Sequence, residues 1–357
     1  MSPKNILLLS AYDAASHHYW HHQLEAMFPQ HHWQILALKD RYFSWRMGAS
    51  ALNFQADFHS QLLQSYDLLI ATSMTDLASL RSFYPHLASI PNLLYFHENQ
   101  FAYPENQQQK GLLEIQLKNI LSAVSADQLA FNSNFNRMTF LSGVQTFLKQ
   151  MPDGVPVNLL KELQNKSTVI PVPIKPDCQP KTAPNQPKSK TLQVVWNHRW
   201  EHDKGPETLL ELLKLCQENE QIKFHIIGQQ FRNTPAAMQE ILSNHQHQCL
   251  NLGHLESRTQ YIKTLQSADV VLSTAHHDFQ GIAMLEAVAC GCRPIAPNRV
   301  VYPELYPPQN LYPSHPSNPK QEAAYIYKLL LQAKQLATPK IDIERDVLLA
   351  KYATWIS

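Results

Sequence analysis

Residues 273–297 read STAHHDFQGIAMLEAVACGCRPIAP, and this stretch decides the fold. The end of the apolar run VVLSTA (270–275) is followed by a polar loop, the apolar segment IAMLEAVAC, a glycine turn and a second apolar run, RPIAP. Strand, loop, helix, turn and strand in this order form a unit of a parallel sheet with a covering helix. The stretch therefore predicts an α/β domain.

The same alternation runs along the chain in both directions. Strand-sized apolar runs lie at 5–12, 33–38, 67–73, 92–98, 128–133, 192–198, 223–228, 249–253, 270–275 and 293–297. Runs that are apolar throughout suit strands buried on both faces of a parallel sheet. Helical stretches such as 112–124 and 138–151 separate them. We predict two doubly wound, Rossmann-like α/β domains that face a central cleft.

A stretch rich in proline and lysine, KPDCQPKTAPNQPKSK at 175–190, is too polar to pack a core, so we interpret it as a linker. A chain of 357 residues has the length of two domains. We expect a first domain at 1–174, a second at 191–335, and a C-terminal segment at 336–357 that can pack back on the first domain.

Composition excludes several classes of protein. Lys and Arg number 30 against 29 Asp and Glu, so the chain lacks the basic field of many nucleic-acid binders and would need a local patch. The apolar runs are too short to span a membrane, and the N-terminus does not read as a secretory signal. Five sparse cysteines are typical of reduced thiols. We expect a cytoplasmic protein without a membrane partner.

Three residues of the 273–297 stretch are candidates for ligand binding. Gly281 opens the helix, and the free amides of a helix start suit anionic or polar groups. Asp278 and Glu286 lie eight residues apart and can both face a ligand above the strand ends. The alternatives are a helix cap for Asp278 and a solvated side chain for Glu286. The apolar surroundings of Glu286 favour a functional role.

The stretch VVWNHRWEHDKGPETLL at 194–210 places Arg199 and Lys204 between a strand and a helix. Two cations at the carboxyl end of a parallel strand suit a diphosphate, the arginine by its bidentate fork and the lysine as a point charge. The alternative is a pair of solvated loop residues.

In the first half, LLYFHENQFAYP at 93–104 places His97 and Glu98 where a buried strand ends. In a dry cleft this pair can position or polarise an acceptor hydroxyl. A purely structural role for the histidine is the alternative.

Four histidines near the N-terminus, His17, His18, His21 and His22, form two pairs at helical i, i+4 spacing. Such spacing is typical of metal sites. We find no third ligand type nearby and no Asp-x-Asp motif, so we predict no metal.

The stretch LKDRYFSWRMG at 38–48 interleaves cations with aromatic residues. Surfaces that bind single-stranded RNA have this composition. A loop at a domain edge with ordinary packing is the alternative.

Taken together, these residues resemble those of a known family. The second half resembles the donor domain of retaining glycosyltransferases of the GT-B fold, family four. More narrowly, the chain is similar to the tRNA-queuosine α-mannosyltransferase family. The similarity is carried, from residue 16 to residue 306, by the strings SH, SWRMGASALNF, YFHENQFAYP, FNSNFNR, NHRWEHDKGPETLL, HDFQGIAMLEAVACGC and YPELYP.

The resemblance implies retaining transfer of mannose from GDP-mannose to a hydroxyl of queuosine in the anticodon loop of tRNA, of the tRNA-Asp type. It implies no cofactor and no obligate protein partner. The catalytic residues that it implies are His97, Arg199, Lys204 and Asp278. The donor-binding residues are Arg199, Lys204, Gly228, His254, Asp278, Gly281, Ile282, Ala283 and Glu286. The acceptor-binding residues are Ser16, His17, Arg46, His97, Glu98, Asn99, Gln100, Asn132 and Asn134. Asp278 stands where the family pattern has glutamate.

Two alternatives remain open at the level of the sequence. One is a family-four enzyme with another sugar nucleotide and a lipid, glycan or small-molecule acceptor. The other is a protein that binds a sugar nucleotide or RNA without turnover.

Overall fold

The structure, a computed structural model, describes residues 2–102, 112–180, 191–231 and 233–357. The chain divides into two compact units, Met1–Pro173 with Arg345–Ser357 and Ile174–Glu344. Most of the predicted linker, at 181–190, lies outside the described residues, as do the last two residues of the 93–104 motif.

A six-stranded parallel sheet forms the first unit, with the order β2-β1-β3-β4-β5-β6. Its strands are β1 (Asn5–Ser10), β2 (His32–Ala37), β3 (Leu68–Thr72), β4 (Asn92–Phe96), β5 (Gln128–Phe131) and β6 (Ser167–Val169). The helices between them are α1 (Ala15–Met27), α2 (Phe43–Leu62), α3 (Leu77–Phe83), α4 (Leu112–Ser125), α5 (Asn134–Lys149) and α6 (Leu159–Asn165). Strands β3 and β4 are buried at every position, as expected for apolar runs inside a parallel sheet.

The second unit repeats this architecture with the strand order β12-β11-β10-β7-β8-β9. Its strands are β7 (Leu192–Trp196), β8 (Ile222–Ile227), β9 (Cys249–Gly253), β10 (Val270–Leu272), β11 (Arg293–Pro297) and β12 (Leu311–Tyr312). Its helices are α7 (Pro206–Cys216), α8 (Ala236–Asn244), α9 (Arg258–Ser267), α10 (Ile282–Ala289), α11 (Tyr302–Leu305) and α12 (Pro319–Leu331). The predicted fold class, two doubly wound α/β domains, is confirmed.

The last helix, α13 (Arg345–Ile356), belongs to the first unit. The indole N–H of Trp20 donates to the hydroxyl of Tyr352 at 3.0 Å, and that hydroxyl donates to the carbonyl of Pro171 at 3.0 Å. The second unit ends at Glu344, directly before this helix, and Glu344 forms a parallel β-bridge with Ile174, the first residue of that unit.

Each unit has its own apolar core, which lies between the sheet and its helices. In the first unit Leu7, Leu94 and Phe131 from the sheet are fully buried in one cluster with helix residues such as Phe140. In the second, strand residues and α7 form a corresponding cluster. In the described ranges no helix is both long and apolar enough to cross a membrane.

Candidate active site

The donor-site candidates follow two strands that are neighbours in the second sheet. Strand β7 pairs with β10 in parallel, so the loops 197–205 and 273–281 leave the sheet at one edge. The hydroxyl of Thr274 accepts a hydrogen bond from the indole of Trp196 at 2.9 Å and donates to the carbonyl of Lys204 at 2.7 Å, which joins the two loops. The strand order reverses between β7 and β10, and ligands of open α/β sheets bind at such a point.

Lys204 carries a buried ammonium group at this edge. Its Nζ atom donates to the carbonyl of His277 at 2.7 Å and lies 3.1 Å from Oδ2 of Asp203 and 4.0 Å from Oδ2 of Asp278. Only 8% of Lys204 is exposed, so water screens its charge weakly. The structure thus brings together Lys204 and Asp278, which lie 74 residues apart in the sequence.

Surrounding groups favour the ionised form of the Asp278 carboxyl. Its Oδ1 accepts from the backbone N–H of Gly281 at 2.8 Å, and its Oδ2 accepts from the hydroxyl of Tyr302 at 3.0 Å. Burial raises the pKa of Asp278, but the charge of Lys204 and these hydrogen bonds outweigh burial and lower it. Asp278 therefore fixes the residue that precedes α10 and also holds a negative charge in the site.

The backbone at Gly281 requires glycine. Its φ of +69° is in the left-handed region, and a Cβ there would lie 3.2 Å from the Tyr302 ring. The chain enters α10 through this residue, so the first amides of the helix, at Ile282 and Ala283, have no partner within the helix. Amides at a helix start bind anionic and polar groups.

Glu286 is buried in α10 and is held by two residues of α9. Its Oε1 lies 2.8 Å from Nη2 of Arg258, and its Oε2 accepts from the hydroxyl of Tyr261 at 2.9 Å. Burial and the charge of Glu286 raise the pKa of Tyr261, so this hydroxyl stays a donor. Sequence reasoning missed Arg258 and Tyr261 because both precede their partner by 25 residues or more, on another helix.

Gly228 directly follows β8, and this position too requires glycine. A Cβ at this position would lie 1.8 Å from the carbonyl oxygen of His198.

His198 itself is buried, and burial lowers its pKa to about 4, with the charge of Lys204 acting in the same direction. Among the described residues its Nε2 has no hydrogen-bond partner. His198, a neutral polar group beside the predicted diphosphate residues, was visible in the 194–210 motif but not selected.

Two other predicted donor residues lie at the surface. The guanidinium of Arg199 is half exposed, with Nη2 3.0 Å from Oε2 of Glu201. His254 is exposed just beyond the end of β9. Both are accessible to a ligand from solvent.

In the first unit, His17 and Glu98 form a buried pair. The Nδ1 atom of His17 contacts the carbonyl of Tyr12, and its Nε2 lies 3.2 Å from Oε2 of Glu98. Because both ring nitrogens face oxygen acceptors, the geometry favours imidazolium. Burial lowers the pKa of His17, but the charge of Glu98 and these hydrogen bonds outweigh burial and raise it.

His97 packs against this pair, with ring centroids 4.1 Å from those of His17. Burial and the neighbouring His17 lower the pKa of His97 well below its usual value, so the ring is neutral. In the described part of the chain, neither Nε2 of His97 nor Oε1 of Glu98 has a hydrogen-bond partner, although both atoms are buried. Buried polar atoms without partners are uncommon, and these two suit a substrate that bears hydroxyl groups.

The amides near this pair hold the protein's own loops together. Asn99 donates to Oδ1 of Asn136 at 2.9 Å and accepts from the backbone of Phe101 at 2.9 Å. Asn132 donates to the carbonyl of His97 at 2.8 Å. The backbone N–H of Gln100 donates to Asn119 at 3.3 Å. The structure therefore places Asn99 and Asn132 as supports of the loop that carries His97.

The remaining acceptor candidates are spread over three helices. Ser16 and Asn134 are exposed near the starts of α1 and α5. Arg46 is buried in α2, where its Nη1 donates to Oδ1 of Asn53. Arg46 is thus separated from the exposed Tyr42 and Trp45 of the same stretch, which are 70% and 56% exposed.

Two parallel sheets, with an ammonium and a carboxylate at the reversal point of the second, agree with the glycosyltransferases of the GT-B fold, and the following similarities place this chain in that class. A family model described as glycosyl transferases group 1 matches residues 179–340. The structure is similar to HepE of Anabaena, solved with UDP and glucose (TM-score 0.63, 15% identity, 98% of both chains). It is also similar to sucrose-phosphate synthase of Thermosynechococcus elongatus (TM-score 0.64, 13% identity, 99% of this chain and 95% of that one). At these identities the likeness concerns the fold.

A second family model, described as tRNA-queuosine alpha-mannosyltransferase N-terminal, matches residues 5–174. A protein of Drosophila melanogaster named tRNA-queuosine alpha-mannosyltransferase is 38% identical over 292 residues, which cover 78% of this chain and 75% of that protein. The chain belongs to the tRNA-queuosine α-mannosyltransferase family.

Proposed function

We propose that this enzyme transfers mannose from GDP-mannose to a hydroxyl of queuosine in tRNA, with retention of configuration at the anomeric carbon. The observation that carries the proposal is the 38% identity to a named tRNA-queuosine α-mannosyltransferase over three quarters of its length. The acceptor tRNA is of the tRNA-Asp type, and the reaction takes place in the cytoplasm. The five free cysteines agree with a reducing compartment.

In the second unit, Lys204 and Arg199 bind the diphosphate and stabilise the charge that grows on it as the sugar departs. Preorganised cations in a dry site are a large source of transition-state stabilisation, and the burial of Lys204 supports this role. Glu286 accepts hydrogen bonds from the ribose hydroxyls. Gly228 and His254 lie against the base.

Asp278 and the amides at Gly281, Ile282 and Ala283 bind the mannosyl group. In the first unit, the free Nε2 of His97 orients a hydroxyl by a hydrogen bond. Glu98, held by His17 through one oxygen, has its other oxygen available for the cyclopentenediol of queuosine.

The exposed aromatic side chains of Tyr42 and Trp45 support an RNA acceptor. The guanidinium carbon of Arg41 lies 5.5 Å from the centroid of the Tyr42 ring. This contact places a positive charge beside the exposed aromatic ring. Such surfaces stack on unpaired bases. Tyr42 also has a φ of +56°, an unusual value for a residue other than glycine.

Incubation of the purified enzyme with GDP-mannose and queuosine-containing tRNA, followed by nucleoside mass spectrometry, tests this function. We expect one hexose on queuosine, no product on queuosine-free tRNA, and at least about 100-fold slower product formation with Lys204→Ala. The variant Lys214→Ala, at an exposed site of α7, is the matched control and should retain activity. Product from UDP-glucose but not from GDP-mannose would overturn the assignment of GDP-mannose as the donor. No product on queuosine-containing tRNA with any sugar nucleotide would overturn the assignment of queuosine as the acceptor.

A further inference from the structure

Three side chains with metal-binding groups, which the donor and acceptor assignments leave unused, converge at the start of α1. Oδ2 of Asp13 lies 3.0 Å from Nδ1 of His18, and its Oδ1 lies 3.1 Å from Nε2 of His21. One ligand atom from each of the three residues lies within 4.8 Å of the other two. Sequence reasoning paired the histidines without Asp13, whose carboxylate the structure brings beside two of them.

The distances suit a small divalent ion. Zinc bonds to imidazole nitrogen and carboxylate oxygen at about 2.0–2.2 Å, which in a tetrahedral site separates neighbouring ligand atoms by roughly 3.3 Å. The two Asp13–histidine distances, 3.0 Å from Oδ2 to His18 and 3.1 Å from Oδ1 to His21, are close to that value, and the carboxylate can bind an ion through either oxygen. His18 and His21 stand three residues apart, so both project from one face of α1. One carboxylate and two imidazoles form a donor set typical of zinc.

Burial gives this cluster a fixed inner side and an open outer side. The side chain of His21 is 3% exposed and that of Asp13 is 12% exposed, whereas that of His18 is 58% exposed. An ion can therefore enter from solvent and keep a fourth position for water. The Nε2 atom of His22 lies 3.1 Å from Nε2 of His18, where it can orient a ligating His18, as hydrogen-bond partners of metal ligands commonly do.

We propose that Asp13, His18 and His21 form a binding site for a divalent transition-metal ion, and that this ion is zinc. The site is separate from the proposed transfer reaction and does not depend on it. A bound ion links the loop after β1 to the first two turns of α1 and so fixes the element that carries His17.

Cobalt absorption spectroscopy on untagged, chelator-treated full-length protein tests the proposal, because Co²⁺ reports its own coordination. We expect one equivalent of Co²⁺ to bind with visible bands of a low-coordinate ion, and Zn²⁺ to displace it. His18→Ala and Asp13→Asn should each weaken binding at least tenfold. His32→Ala, at an exposed position of β2, should bind as the wild type does.

Because the side chain of His18 is exposed, we expect its replacement to leave the metal-free protein folded. Circular dichroism melting without metal should be the same for His18→Ala and the wild type, whereas added Zn²⁺ should raise the midpoint of the wild type alone. The absence of stoichiometric Co²⁺ binding, or equal affinity in His18→Ala and His32→Ala, would overturn the site and leave a hydrogen-bonded network only.

Discussion

Nη2 of Arg258 lies 2.8 Å from Oε1 of Glu286, and this ion pair fixes the carboxylate that we assign to the donor ribose. The same guanidinium binds both carboxylate oxygens of Asp177, at 3.0 and 2.9 Å, and lies 3.0 Å from the sulfur of Cys178. One side chain at the start of α9 therefore connects α10 with the segment 174–180.

Removal of this cation should destabilise the second unit. Arg258→Met leaves Glu286 buried without its counter-charge, and breaking a buried pair costs several kcal/mol. Because a third of the Arg258 side chain is exposed, we expect a smaller loss, about 1–3 kcal/mol of unfolding free energy. Thermal unfolding should show a midpoint lower by several degrees. Lys263→Met, at an exposed site of the same helix, should melt like the wild type, and equal midpoints for both variants would contradict the role of the pair.

Lys204 should matter for turnover more than for ground-state binding. If its ammonium stabilises charge that develops on the leaving diphosphate, Lys204→Ala should lower kcat by about 100-fold or more, with a smaller effect on the KM for the donor. Initial rates at saturating tRNA measure both constants. A variant that raised KM and kept kcat would indicate that Lys204 binds donor and transition state equally.

The fold was predictable because parallel sheets leave a strong local signal. The apolar runs at 67–73 and 92–98 became β3 and β4, which are buried throughout. Residues that follow strand ends, such as Lys204 and Asp278, were predictable for the same reason, since such ends meet at one edge.

Contacts made across helices left no local signal. Nothing in the neighbourhood of Arg258 or Tyr261 points to Glu286, since tertiary packing alone brings α9 against α10. Burial of Arg46 was likewise hidden, because its neighbours Tyr42 and Trp45 are exposed. Arg46 follows Trp45 by one position, a rotation of about 100° around α2, and Tyr42 lies outside the helix in the left-handed region, so neither exposed neighbour indicates where the arginine points.

Acidification should destabilise the second unit through His198. Its folded pKa is lowered to about 4, below the ordinary unfolded value of about 6.5. Between these two values the unfolded state binds more protons, so stability is complete above pH 6.5 and falls as the pH drops towards 4. We expect His198 to contribute a loss of about 1.4 kcal/mol per pH unit within that window, in addition to the loss from His225, whose pKa burial also lowers to about 4. Urea unfolding at pH 7 and pH 5 measures it.

His198→Gln keeps a polar side chain and should reduce this pH dependence. His247→Gln, at an exposed position before β9, should leave it unchanged. An identical loss of stability between pH 7 and pH 5 in His198→Gln and the wild type would assign the proton uptake to other groups.

The exposed aromatic pair on the first unit should contribute to tRNA affinity alone. Stacking of one base on an aromatic side chain contributes about 1–3 kcal/mol, so Tyr42→Ala or Trp45→Ala should raise the KM for tRNA roughly 5- to 150-fold. Neither change should alter the KM for the donor, because that site lies in the other unit. Leu52→Ala removes an equally exposed apolar residue of α2 (51% exposed) and should leave the KM for tRNA unchanged. If all three variants bound tRNA as the wild type does, the anticodon loop would have to contact another surface.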